Sequence, residues 1–172
     1  MPKDLTNAAV LVVGTGVMGT GIAQVAAQSG HQVMLFDTRE SAADNAMDKL
    51  SVTMDRLVAR GKIRREEADL ALGRMTPIGY LDEAADAGIV IEAVVEDLEV
   101  KRNLFASLED IVPEDAVLAT NTSSISVTAI AAGLTHPARV AGMHFFNPVP
   151  LMNLVEVVSG LQTDPDVAAL VY

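Results

Sequence analysis

Cysteine is absent from the chain, and with it go disulfides, thiolate metal sites and a cysteine nucleophile. That absence fits a reducing compartment. Aromatic residues fill only 3% of the 172 positions, although half of the chain is hydrophobic. A core of small aliphatic side chains suits helices packed on both faces of a buried parallel sheet. Positive charge is also scarce, and the formal net charge is -11. A broad basic footprint for nucleic acid is therefore disfavoured, and an anionic ligand has to be met by local donors. No apolar run approaches the ~20 residues that span a bilayer. The start, Met1-Pro2-Lys3-Asp4, lacks the apolar stretch of a signal peptide. The expectation is one soluble, cytoplasmic α/β domain over residues 1–172, with neither nucleic acid nor membrane as partner.

What is present is an alternation of strand-like and helical segments. Ala8 to Val13 is a continuous apolar run ending at a glycine, as in a strand buried on both faces. Val17 to Ser29 has helical spacing and ends at Gly30, and Gln32 to Phe36 reads as a second strand, completing one βαβ unit. Ser41 to Arg60 carries Ala46, Met47, Leu50, Met54, Leu57 and Val58 at steps of three and four, predicting a long amphipathic helix closed by Gly61. A short helix over Glu66 to Leu72 follows, then strands at Met75 to Ile78 and Ile89 to Val95. The spacing next predicts a helix over Leu98 to Ile111, a strand at Val117 to Thr120, a small helix near Val127 to Ala132 and a strand at Val140 to Phe145. An Asn-Pro-Val-Pro turn leads to a strand-like run from Leu154 to Val158. This order points to a doubly wound, Rossmann-type, mostly parallel sheet with helices on both faces. Asp164 and Pro165 open a helix that stops at Tyr172 after about two turns, as expected of a fragment of a longer chain.

Gly14-Thr15-Gly16-Val17-Met18-Gly19 matches G-x-G-x-x-G between a strand and a helix. The first glycine permits a sharp turn, the second leaves room for a pyrophosphate, and the third lets helix and strand approach closely. The phosphates then sit on free N–H groups at the positive end of the helix dipole, around Val17 and Met18. Asp37, at the end of the second strand, can accept hydrogen bonds from the adenosine ribose and repel a 2′-phosphate, which favours NAD over NADP. Arg39 pulls the other way, since a nearby arginine can accommodate that phosphate.

Oxidation of an alcohol by NAD needs a base for the hydroxyl proton, and histidine suits it. Of the three histidines, His31 lies in a turn and His136 in a loop, whereas His144 is near the carboxyl end of a strand, where doubly wound sheets bind ligands. Glu156 sits within an apolar run and is costly to bury unless paired. Folding back of the Asn-Pro-Val-Pro turn would bring it to His144, where a carboxylate fixes the tautomer and raises basicity. A structural role for His144 stays open on these grounds. So does plain solvation of Glu96 at a strand end, and helix capping rather than ligand contact by Ser123 and Ser124. Arg56, Arg60, Lys62, Arg64 and Arg65 form a basic cluster that either attracts a phosphate-bearing substrate or is a solvated helix end.

Four segments in order closely resemble the 3-hydroxyacyl-CoA dehydrogenase family: Gly14 to Ala23, Glu92 to Lys101, Asn121-Thr122-Ser123-Ser124, and His144-Phe145-Phe146-Asn147-Pro148-Val149-Pro150 with Leu154-Val155-Glu156. The resemblance implies reversible NAD-dependent oxidation of an L-3-hydroxyacyl-CoA to the 3-ketoacyl-CoA. It implies His144 as base and Glu156 as its partner, with Ser123 and Asn147 beside the substrate oxygen and nicotinamide. Glu96 and Lys101 would belong to the cofactor site, and Lys62 would contact a coenzyme A phosphate. The family also has a helical second domain that closes the cleft, supplies an asparagine and makes most of a homodimer interface. Without it, the chain is expected to bind NAD and turn over acyl-CoA poorly. A dehydrogenase of free 3-hydroxy acids and a non-catalytic NAD-binding module are the competing readings.

Overall fold

The computed structural model describes residues 4–172; Met1, Pro2 and Lys3, which open the stretch read as lacking a signal segment, lie outside the described residues. Seven strands form one sheet: β1 (Val10–Val13), β2 (Val33–Phe36), β3 (Met75–Pro77), β4 (Ile89–Glu92), β5 (Val117–Thr120), β6 (Val140–Phe145) and β7 (Val155–Ser159). Their order is β3-β2-β1-β4-β5-β6-β7, parallel except for the antiparallel β6–β7 pair. The helices are α1 (Val17–Gln28), α2 (Ala42–Ala59), α3 (Arg65–Gly73), α4 (Leu98–Ile111), α5 (Val127–Ala131) and α6 (Pro165–Val171).

Strand side chains alternate between two cores. Val10, Val12, Leu35, Ile89 and Ile91 pack under α1, α2, α3 and α6, against residues such as Ile22, Leu50, Met54, Ala68 and Val167. Leu11, Val13, Val90 and Leu118 face the other way, onto Phe105 and Leu108 of α4 and Ile130 of α5. Burial on both faces is why β1 is apolar throughout and β4 and β5 have no polar residue before their last. The strand order reverses between β1 and β4, and the crevice above their carboxyl ends is where such sheets bind ligands.

The expected strand Ile89 to Val95 ends early, at Glu92. Its partner β1 turns away at Gly14, so Ala93 donates a last rung to the Val13 carbonyl at 2.8 Å and nothing remains for Val94 and Val95 to pair with. Three short 3-10 turns, Leu5–Asn7, Leu81–Ala84 and Pro137–Arg139, have no counterpart in the sequence periodicity because one turn is too short to show a period. No helix among the described residues is long and apolar enough to cross a membrane.

Candidate active site

The glycine turn joins β1 to α1 under tight constraint. Gly14 has φ +95°, and a β-carbon there would come within 2.6 Å of the Ala93 carbonyl oxygen. One on Gly19 would lie 1.8 Å from the Gly14 carbonyl oxygen, so only glycine lets α1 start this close to β1. A β-carbon on Gly16 would meet nothing within 4 Å; that open space is what a pyrophosphate needs. Gly16 is the helix N-cap and no side chain caps it, which leaves the first amides of α1, on Val17, Met18 and Gly19, directed at that space. These features fit a dinucleotide phosphate.

Asp37 closes the turn from the side. Its Oδ2 accepts from the Thr15 amide and hydroxyl, both at 2.8 Å. Arg39 donates to the same carboxylate through Nε at 3.0 Å and Nη2 at 2.9 Å. The guanidinium outweighs the effect of burial and, with the Thr15 bonds, holds this carboxyl well below the usual carboxylate range.

At the end of β4 lies a buried ion pair absent from the sequence expectations. Lys101 of α4 is 1% exposed and Glu92 fully buried, with Nζ 2.6 Å from Oε1. The remaining valences of Glu92 accept from the Thr120 hydroxyl and the Val94 amide, each at 2.7 Å. Lys101 also lies 3.3 Å from Oε2 of Glu96. The other Glu96 oxygen accepts from the Thr122 hydroxyl, the Ser123 and Ser124 amides and the Ser124 hydroxyl. Burial pushes the Glu96 pKa up, but these hydroxyls and the Lys101 charge outweigh it and bring it down to about 2. Glu96 thus clamps the loop after β5 that carries Ser123.

His144 and Glu156 are direct cross-strand partners in the β6–β7 register, and His144 Nδ1 lies 2.8 Å from Glu156 Oε2. A carboxylate can only accept, so Nδ1 carries the proton and Nε2 of the neutral ring keeps a free lone pair. Phe146 tilts against the imidazole with ring centroids 4.6 Å apart. Asn121 accepts from the Phe145 amide at 2.9 Å, fastening the end of β6 to the loop after β5. Two grooves meet at this point. One, of about 360 Å³, is lined by Met18, Ala93, Glu96, Lys101, Asn121, Ser123, His144 and Asn147. The other, of about 270 Å³, runs along Ser123 to Thr128, Gly142, His144, Glu156 and Ser159. His144 and Ser123 belong to both, so they form the ridge between the two grooves.

The structure therefore gathers Met18, Glu96, Lys101, Ser123, His144 and Asn147 into one groove, with Gly14, Gly16, Val17, Gly19 and Asp37 at the glycine turn. Lys62 is exposed in the turn between α2 and α3 and lines neither groove. In the basic cluster, Arg64 pairs with Glu67 and Arg65 with Asp55 and Asp69, so those two charges are already neutralised. Neither Ser123 nor Ser124 caps α5; Ser126 does. Glu92, Thr120, Thr122, Asn121 and Thr15 were not expected to act here. Glu92 did leave a signal, a carboxylate inside the apolar run Ile89 to Val95 with a lysine nine residues on.

The family model for the 3-hydroxyacyl-CoA dehydrogenase NAD binding domain matches residues 9–172. The 3-hydroxyadipyl-CoA dehydrogenase of Escherichia coli K12 is 51% identical over 158 residues, covering 92% of this chain and 33% of that protein. A 3-hydroxybutyryl-CoA dehydrogenase of Mycobacterium tuberculosis is 46% identical over 159 residues, again 92% of this chain and 56% of the relative. The crystal structure of a 3-hydroxybutyryl-CoA dehydrogenase from Escherichia coli K12 superposes with a TM-score of 0.93 at 49% identity, covering 95% of this chain and 34% of that one. The chain thus spans between a third and just over half the length of these relatives.

Two predictions follow from the ion pair and its clamp. Lys101→Met strands a buried carboxylate and is expected to cost ~3–5 kcal/mol in urea unfolding. The double variant Glu92→Gln/Lys101→Met recovers at least half of that loss; additive losses would show that the two do not act as a pair. For Glu96, the folded pKa of about 2 lies below the ordinary 4.5, so its stabilisation is complete above 4.5 and is lost as pH falls towards 2. Its side chain is 39% exposed, and solvent screening reduces the contribution to about 1 kcal/mol. Glu96→Gln should remove that acid-limb component from the stability profile.

Proposed function

From the premise that the chain belongs to the 3-hydroxyacyl-CoA dehydrogenase family, as its NAD-binding domain, we propose that the protein oxidises an L-3-hydroxyacyl-CoA to the 3-ketoacyl-CoA, reversibly. The observation that carries this is the His144–Glu156 pair, 2.8 Å apart on the ridge between the two grooves. NAD supplies the acceptor for the hydride that leaves the substrate carbon.

The rest of the step belongs to the chain's own residues. His144 Nε2 takes the hydroxyl proton as the C–H bond breaks. Glu156 holds Nδ1–H, fixes the tautomer and stabilises the imidazolium that forms. Ser123, whose amide is held by Glu96, and Asn147 at the groove edge orient the reacting oxygen and the nicotinamide. The amides at the start of α1 hold the pyrophosphate, and Asp37 takes the adenosine ribose. Glu96 and Lys101 shape the nicotinamide side. For Lys101 this is a supporting role, since its ammonium is already committed to Glu92. Lys62 contacts a coenzyme A phosphate, a reading supported by its exposure beside Arg56 and Arg60.

The substrate is a short-chain acyl-CoA, on the strength of relatives named for 3-hydroxybutyryl- and 3-hydroxyadipyl-CoA. A second, helical domain completes the cleft and the homodimer, in keeping with the share of each relative that this chain covers. A cytoplasmic setting belongs to the same reading.

His144→Gln in the full-length protein is expected to lower acetoacetyl-CoA turnover by about 10²–10⁴-fold and to leave the NADH dissociation constant within about twofold. Retained turnover would remove His144 from the mechanism, and equal turnover of free acetoacetate would remove coenzyme A from the substrate. The 172-residue chain by itself should bind NADH yet reduce acetoacetyl-CoA at a small fraction of the full-length rate. A normal specific activity would show that the groove needs no second domain.

A further inference from the structure

Asn121 stands where β6 runs out of neighbours. The register of β5 against β6 ends at Thr120 opposite Gly142, while β6 continues to Phe145. On its other side β6 has only β7, which starts at Val155 opposite Phe145 and has no strand beyond it. Asn121 follows Thr120 directly, and its own amide donates to the Glu92 carbonyl at 2.8 Å, which fixes it to the end of β4. Its side chain then supplies the acceptor that the backbone of β5 no longer offers. Oδ1 accepts from the Phe145 amide at 2.9 Å.

That amide belongs to His144 as much as to Phe145. A peptide unit is planar, so the His144 carbonyl and the Phe145 N–H turn together. Holding the N–H fixes ψ of His144 and with it the direction in which the side chain leaves the strand. In a trans unit the two groups point to opposite sides. The N–H goes to Asn121, and the carbonyl goes towards β7, where Glu156 is the register partner of His144.

We propose, on the reading of His144 as the base, that Asn121 is its positioning residue: the Asn121 carbonyl oxygen holds the peptide plane of His144 while Glu156 holds the ring. One fixes the root of the side chain and the other its tip, and Nε2 is left with one course. The role needs an acceptor and nothing more. A backbone N–H can only donate, so the atom facing Phe145 is the oxygen. The Nδ2 hydrogens have no acceptor among the described residues. Asn121→Asp therefore keeps the tie, and Asn121→Ala removes it.

The test is steady-state reduction of acetoacetyl-CoA by the full-length protein, with each variant taken at the plateau of its pH profile, which discounts the added charge, and normalised to its NADH-binding stoichiometry. Asn121→Ala should lower kcat about 10- to 100-fold and leave KM and the NADH dissociation constant within about twofold. Asn121→Asp should restore kcat to within about threefold of the wild type. An alanine variant with the wild-type kcat, or an aspartate variant as slow as alanine, overturns the inference. So does a loss that falls on KM or on NADH binding, the mark of a ligand contact rather than a positioning role. Should the alanine variant bind no NADH, Asn121→Ser, whose hydroxyl stops one bond short of the Phe145 amide, replaces it in the same comparison. His144→Gln separates the two readings. If it keeps its turnover, His144 is not the base and the inference falls with that reading; if it is inactive and Asn121→Ala is not, the inference alone falls.

Discussion

Lys101 carries an ammonium group to a place that water does not reach, and much of the ligand edge is arranged around neutralising it. Glu92 provides the opposite charge at 2.6 Å, and Glu92 in turn draws in the Thr120 hydroxyl and the Val94 amide. The ends of β4 and β5, the loop after β4 and the start of α4 are thereby tied to one another. Glu96 extends the same network outward, from Lys101 to the Ser123–Ser124 loop. An apolar substitute for the pair could pack as well. It could not direct a carboxylate at that loop, and the position of Ser123 on the ridge depends on such direction.

The two halves of the site rest on different kinds of support. On the cofactor side, close backbone contact sets the geometry: the Gly14 turn lies hard against Ala93, and α1 lies hard against Gly14. Those contacts leave no room for adjustment, which suits a ligand whose phosphates are always the same size. The side that carries His144 is held by hydrogen bonds between neighbouring strands and loops, through Asn121 to Phe145 and through the β6–β7 ladder.

Much of this was legible in the residues. The apolar runs of β1, β2, β5 and β6, the spacing of α1, α2 and α4 and the phosphate turn all follow from patterns that span several positions, and such patterns survive in any well-packed fold. The meeting of His144 with Glu156 was foreseeable because a carboxylate in an apolar run demands a partner. The same logic applied to Glu92, but its partner lies across a loop on the next helix, and no periodicity links the two. Asp37 was read as open to a ribose; its engagement by Thr15 and Arg39 depends on how two turns approach each other in space. Val94 and Val95 were read as strand because they are apolar. Where a strand ends is decided by its neighbour, and Gly14 had already ended β1.

His144 and Glu156 face each other across the last pair of strands, and β7 has a neighbour on one side only. An outer strand is the first part of a sheet to fray. When β7 loosens, Glu156 departs and the imidazole loses its orientation, while β1, β2, β4 and the start of α1 remain closed in the middle of the sheet. On the mechanism proposed above, chemical competence is accordingly more fragile than nucleotide occupancy. Under gentle heating or mild denaturant, that mechanism implies a population of molecules still loaded with cofactor after losing the ability to move a proton.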